Sequence, residues 1–132
     1  MTQPPKQRFP KTQRLLKHAD FERVYKQGRR HFAAHMTVFY LALPSDDSAA
    51  SGTKGTRVGF TVSKALGGAV QRNRMKRRLR EAVRLCGVPS GIEANVVINP
   101  KRSLLTAEFS ELRNEIAKAF VVIGKASQKE KR

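Results

Sequence analysis

Carboxylates are scarce in this chain. Against 27 Lys and Arg stand only 10 Asp and Glu, giving a formal net charge of +17 at pH 7 and a pI near 11.2. A two-metal nuclease must gather several carboxylates at one point, and this composition offers few. The excess of cations points to nucleic acid as partner, and more weakly to an anionic membrane surface. Long apolar runs are missing too. None reaches the roughly 18 residues a membrane span requires, so no membrane partner is expected. Cysteine occurs once, at Cys86. A lone cysteine forms no internal disulfide and gives no sign of an oxidising compartment; it is read as a small buried hydrophobe. Met1 to Arg14 is basic but lacks the apolar centre of a signal peptide, so the expected location is the cytoplasm. The length, 132 residues, suits one domain with a modest core.

What the chain has in abundance is concentrated between Arg72 and Arg84, where seven of thirteen residues are Arg or Lys and one, Glu81, is acidic. Met75, Leu79, Ala82, Val83 and Cys86 recur at helical spacing, so the stretch reads as an amphipathic helix. Arg72, Lys76, Arg80 and Arg84 form an i, i+4 row of like charges, each pair disfavouring the isolated helix by roughly 0.2–0.5 kcal/mol. Arg72 and Arg74 also lie near the positive end of the helix dipole. Such a helix is stabilised by an anion, and a polyanion with spaced phosphates fits best.

The rest of the chain organises around that helix. Residues 1–14, with Pro4, Pro5 and Pro10 among basic residues, read as a basic extended arm, residues 15–123 as one RNA-binding domain, and residues 124–132 as a basic disordered tail. A short helix is predicted from Lys17 to Gln27, with Asp20 as N-cap and Gly28 as its stop. Strands are predicted at Met36 to Leu43 and Arg57 to Ser63, joined by a mobile Ser/Gly-rich connection from Ser45 to Thr56. A further strand near Arg29 to Ala34 is left open by the pattern. Val96-Val97-Ile98 marks a buried strand, and Phe109, Leu112, Ile116 and Phe120 a last helix from about Thr106 to Phe120. The order α-β-β-(β)-α-β-α implies an α+β fold, a small mixed sheet packed with helices.

No catalytic constellation emerges. Asp46 and Asp47 lie in the Ser/Gly-rich connection. Glu108, Glu111 and Glu115 read as a solvated face paired with Arg113 and Lys118. His31 and His35 have i, i+4 spacing but no accompanying glutamate and abut a strand, so a zinc motif is not supported. Ser63-Lys64 and Gly67-Gly68 are too short to carry a nucleophile or phosphate-loop assignment. The residues describe a binder rather than a catalyst.

One longer pattern is more specific. Arg57-Val58-Gly59-Phe60-Thr61-Val62-Ser63-Lys64, followed after a Gly-containing turn by Ala69-Val70-Gln71-Arg72-Asn73-Arg74-Met75-Lys76-Arg77-Arg78-Leu79-Arg80-Glu81-Ala82, resembles the signature of the bacterial ribonuclease P protein subunit. Phe9-Pro10-Lys11, Arg14-Leu15-Leu16, Asp20 to Tyr25 and Asn95 to Pro100 resemble further family segments, in the same order, so the likeness covers about residues 9 to 120. The resemblance implies a ribonucleoprotein enzyme, an endoribonuclease that removes the 5′ leader of precursor tRNA, in which a large RNA performs the hydrolysis. It implies a ribosomal-protein-S5-like fold with a left-handed βαβ crossover, where pattern alone predicts a right-handed one.

Carried over by position, the resemblance assigns Lys64, Arg72, Asn73, Arg74, Lys76, Arg77, Arg78, Arg80 and Arg84 to the catalytic RNA. It assigns Phe21, Tyr25 and Phe39 to the aromatic floor of a leader cleft, with partial exposure expected for Tyr25 and Phe39 more than for Phe21. Arg57, Thr61, Ser63, Lys101 and Arg102 are further candidates there. The chain departs from the family at Ala65 and Gly68, where many members are basic, and at Tyr25, where phenylalanine is common. No protein-borne catalytic or metal residue and no protein-held cofactor is expected, Mg²⁺ being assigned to the RNA and phosphates. The expected partners are ribonuclease P RNA and the precursor tRNA leader, with no obligate protein partner. The alternatives are a structural or ribosome-associated RNA-binding protein without leader recognition, and a protein nuclease.

Overall fold

The computed structural model describes residues 17–42, 56–88 and 92–130. The expected arm, the family-like segments before Lys17 and most of the Ser/Gly-rich connection lie outside these residues. The elements run α1 (His18–Gln27), β1 (Arg29–Phe32), β2 (Met36–Ala42), β3 (Thr56–Phe60), α2 (Ala69–Cys86), β4 (Ala94–Pro100) and α3 (Phe109–Glu130), with single 3-10 turns at Lys64–Leu66 and Arg102–Leu105. The fold is α+β. The sheet order is β1-β2-β4-β3, antiparallel except for the parallel pair β3/β4. Parallel neighbours require a crossover, and α2 supplies it. The strand left open by the pattern is present as β1.

The two faces of the sheet are covered unequally. Met36, Val38 and Tyr40 of β2, Val58 of β3, and Ala94, Val96 and Ile98 of β4 point to one face, where they form the main core with Met75, Leu79, Ala82 and Val83 of α2 and Leu112, Ile116 and Ile123 of α3. Among the described residues the other face carries only α1, whose Val24 is buried with Val97, flanked by Phe21, Phe39 and Leu41. Burial on both faces explains the continuous apolar run of β4.

Three boundaries differ from the pattern-based reading. Lys17, not Asp20, is the N-cap of α1, and it provides no side-chain cap; Asp20 sits in the first turn, where a carboxylate complements the dipole. β3 ends at Phe60, and Ser63 caps the 3-10 turn, its Oγ accepting from the Ala65 N–H at 3.2 Å. The last helix continues to Glu130, so residues 124–130, expected as a disordered tail, are helical. Ala126 is buried against the core, and Gly124 leaves room for Ile92, whose Cδ1 lies only 3.2 Å from where a Cβ would stand. Gly28, which caps the end of α1, has no room for a side chain, since a Cβ there would meet the Tyr40 and Val24 carbonyls at 2.5 Å.

Two glutamates read as solvated have another task. His35, in the β1–β2 turn, places Nε2 2.9 Å from Glu111 Oε2 and Nδ1 2.8 Å from Ser103 Oγ, while its backbone N–H donates to Glu115 Oε1 at 2.9 Å. These bonds fasten the turn to the first half of α3.

Candidate nucleic-acid interface

The register defines the α1 face of the sheet as rows across the strands. Leu41, Asn95 and Arg57 form one row; Arg30, Phe39, Val97 and Gly59 form the next; Phe32, Thr37 and Asn99 form the third. Thr61, whose N–H still donates to the Ile98 carbonyl at 3.1 Å, extends the third row past the end of β3. α1 packs over the first two rows. Among the described residues the third is left largely uncovered apart from the Tyr25 hydroxyl over Thr61 and Asn99, a shallow groove crossing the sheet over about 14 Å at ordinary strand spacing.

Tyr25 borders this groove. Its ring meets Phe39 edge-to-face at 4.9 Å, and its hydroxyl, with one proton to give, lies 2.9 Å from Thr61 Oγ1 and 3.0 Å from Asn99 Oδ1. The residue is 37% exposed and held by both contacts, a fixed aromatic surface beside an open sheet. Phe21 and Phe39 are half-buried, Phe21 being packed in the small core beneath α1. Arg57 is turned under α1. It pairs with Asp20 at 3.5 Å, with side-chain exposures of 13% and 17%, and its Nε donates to Asn95 Oδ1 at 3.2 Å. Its position therefore ties α1 to the sheet rather than lining the groove. Arg57→Ala leaves the Asp20 carboxylate and the Asn95 oxygen without a partner in a nearly dry place and is expected to cost about 1–3 kcal/mol. The expected measurement is a lower urea midpoint at unchanged slope.

The groove opens at Thr61 into the 3-10 turn that carries exposed Lys64 and leads to α2. Arg102 donates to the Ala65 carbonyl at 3.1 Å, which sets a second cation beside this turn. Lys101 is at the other end, its Nζ donating to the Ala33 carbonyl at 2.9 Å. Gly67, at φ 144°, gives the chain the left-handed conformation that lets it enter α2, and Gln71 Oε1 accepts from the Gly68 N–H at 2.8 Å.

Along α2 the cations divide by position. Asn73, Arg74, Arg77 and Arg80 are exposed, while Arg72, Lys76, Arg78 and Arg84 are half-buried. Arg72 stands seven residues before Leu79 and in line with the buried stripe, so its Nε is sealed from solvent without a partner among the described residues. Arg78 flanks the same stripe and points inward. Its guanidinium donates to the carbonyls of Leu104, Leu105 (2.8 Å) and Ala107, so the fork that was assigned to RNA serves the turn before α3. Arg84 pairs with Glu81, which raises its pKa further. Cys86 lies near α3, its thiol donating to the Arg113 carbonyl at 3.3 Å, and burial pushes its pKa up, as befits a thiol used for packing.

The arrangement is a cationic helix face continuous with an aromatic-edged groove, the chemistry of phosphate and unpaired-base binding. The family model for Ribonuclease P matches residues 9–124. This chain belongs to the ribonuclease P protein family. The ribonuclease P protein component of Desulforapulum autotrophicum is 37% identical over 116 residues, covering 85% of this chain and 89% of the relative. That of Citrifermentans bemidjiense is 39% identical over 112 residues, covering 85% and 89%. Among solved structures, the Staphylococcus aureus RNase P protein superposes with a TM-score of 0.65 at 25% identity, covering 87% of this chain and 97% of that one. The chain is thus a bacterial-type protein component of ribonuclease P, a tRNA-processing endoribonuclease, and its partner is ribonuclease P RNA. Among the described residues no helix is long and apolar enough to cross a membrane.

Sequence reasoning missed three members of the groove. Asn99 and Thr37 were hidden because only the register sets them in one row with Thr61. Phe32 belongs to β1, the strand the pattern left open.

Proposed function

We propose that this chain grips ribonuclease P RNA with the outer face of α2 and holds the single-stranded 5′ leader of precursor tRNA in the open row of the sheet. The RNA carries out the hydrolysis. The observation that carries this reading is the continuity of the two surfaces: the groove from Phe32 to Thr61 runs into Lys64 and the start of α2. A leader lying there is next to the RNA that cuts it. Holding the leader raises affinity for precursor over mature tRNA, and the cations between Asn73 and Arg80 neutralise phosphates that otherwise repel one another in the folded RNA. Lys64, Arg74, Arg77 and Arg80 are the principal RNA contacts in this reading, with Lys76 and Arg84 beside them. Asn73 offers an amide to a 2′-hydroxyl or base edge. Tyr25, Phe39 and Thr61 meet the leader, and Lys101 and Arg102 supply charge at the two ends of the groove. The Mg²⁺ ions that the reaction uses are bound by RNA and phosphate oxygens, and the particle works in the cytoplasm.

Reconstitution tests the proposal. At low Mg²⁺, a bacterial ribonuclease P RNA should cut precursor tRNA at the mature 5′ end efficiently only with this chain added. Cleavage at that position by the purified chain, free of RNA, would overturn the division of labour.

A further inference from the structure

The groove described above ends on a ring to which no individual contact has yet been assigned. Phe32 is 68% exposed on the edge strand β1. A single exposed phenylalanine is ordinary in itself; its surroundings are not. Phe32 lies opposite Thr37 and Arg30 opposite Phe39, so both point to the α1 face, with Phe32 in the open row itself. The Arg30 guanidinium sits 5.6 Å above the Phe39 ring, which links the β1 end to the Tyr25–Phe39 pair by a cation–π contact. The Lys101 ammonium is on the carbonyl of Ala33, the residue after Phe32, with two further donors to give. Among the described residues neither Arg30 nor Lys101 has a carboxylate partner. An exposed ring with one cation two residues before it on the same face of β1 and another on the carbonyl of the residue after it matches an unpaired nucleotide, the base on the ring and the phosphate on the cations. A second copy of this chain fits poorly, because a net charge of +17 and Arg29 and Arg30 on the edge oppose strand pairing.

We infer that Phe32, Arg30 and Lys101 form an additional nucleotide subsite for the leader, farther from the cleavage point than the one at Tyr25. The inference rests on the leader reading proposed above. Its polarity follows from the fold: the Thr61 end adjoins Lys64 and α2, where the catalytic RNA binds, so the Phe32 end receives the distal part of the leader.

The test uses the reconstituted holoenzyme and precursor tRNAs whose leaders grow one nucleotide at a time, with binding measured relative to mature tRNA. Phe32→Ala is expected to match the parent on short leaders and to lose roughly 5- to 150-fold in affinity once the leader reaches β1. Phe32→Tyr should retain the parent's affinity. An abasic nucleotide at the responding position should weaken the parent equally and add no further loss in Phe32→Ala, as expected of two partners in one contact. Parent-like affinity of Phe32→Ala at every length overturns the subsite, as does an equal loss for all leaders and mature tRNA. Tyr25→Ala run alongside separates the two readings. If it still loses precursor discrimination, only the subsite falls; if it too behaves like the parent, the leader groove falls with it.

Discussion

An Arg78→Ala variant is expected to melt on the order of 10 °C below the parent chain, while Arg74→Ala, four residues earlier on the same helix, melts with the parent. The two arginines are equivalent in composition and opposite in use. Arg78 donates to three carbonyls in the segment between β4 and α3, two of them on the buried residues Leu104 and Ala107. Its removal leaves those oxygens without their donor, at a cost of about 3 kcal/mol in total. Arg74 is exposed and has no described partner, so it contributes to binding instead. Its replacement should weaken ribonuclease P RNA binding roughly 10- to 100-fold and make the salt dependence shallower by about 0.7–0.9 for each phosphate it no longer neutralises. Calorimetry and RNA titration across a salt series measure both effects. Normal melting of Arg78→Ala, together with normal RNA binding by Arg74→Ala at elevated salt, would show that the division of α2 into an outer and an inner set is wrong.

Tyr25→Ala should reduce precursor tRNA affinity roughly 5- to 150-fold, the range for one stacked base, and leave mature tRNA binding unchanged. Tyr25 suits this test better than Phe39 because it is 37% exposed at the rim of the small core and its ring packing is an edge-to-face contact with Phe39. Phe39 is a poorer probe: it is half-buried in the small core under α1, so Phe39→Ala also carries the cost of a core truncation, about 3–5 kcal/mol for a fully buried ring and less here. Tyr25→Phe keeps the ring and removes the hydroxyl that reaches Thr61 and Asn99. It should fall between the parent and Tyr25→Ala, reporting how much of the effect comes from holding the ring in place. Equal losses for precursor and mature tRNA in Tyr25→Ala would exclude leader stacking at this residue.

Much of α2 could be read without a structure. Met75, Leu79, Ala82 and Val83 lie on one stripe because 3.6-residue periodicity leaves them no other arrangement, and all four are buried. The same arithmetic sets Arg72 in line with Leu79 and puts Arg77 on the opposite side. It could not say that Arg78 meets three carbonyls, because those come from residues 26 to 29 positions further along the chain. The leader candidates divide likewise. Tyr25 and Thr61, both candidates by resemblance, meet through a hydrogen bond at the edge of the third row. Arg57 serves Asp20 and Asn95, and Ser63 caps the turn before α2. Both are polar residues whose partners only the folded chain reveals. Glu111 and Glu115 have helical spacing that suits a solvated face, and their use on His35 depends on where the β1–β2 turn docks.

The amino-acid sequence alone determined the charge of this protein, its α+β element order, its cationic helix and the family that helix signals, because periodicity and composition are local properties of the chain. The tertiary structure decided which cations face outward and which are spent inside, and which strand residues share the uncovered row. Register and packing bring together groups from distant segments, and a polar side chain's role is set by the partner it finds there.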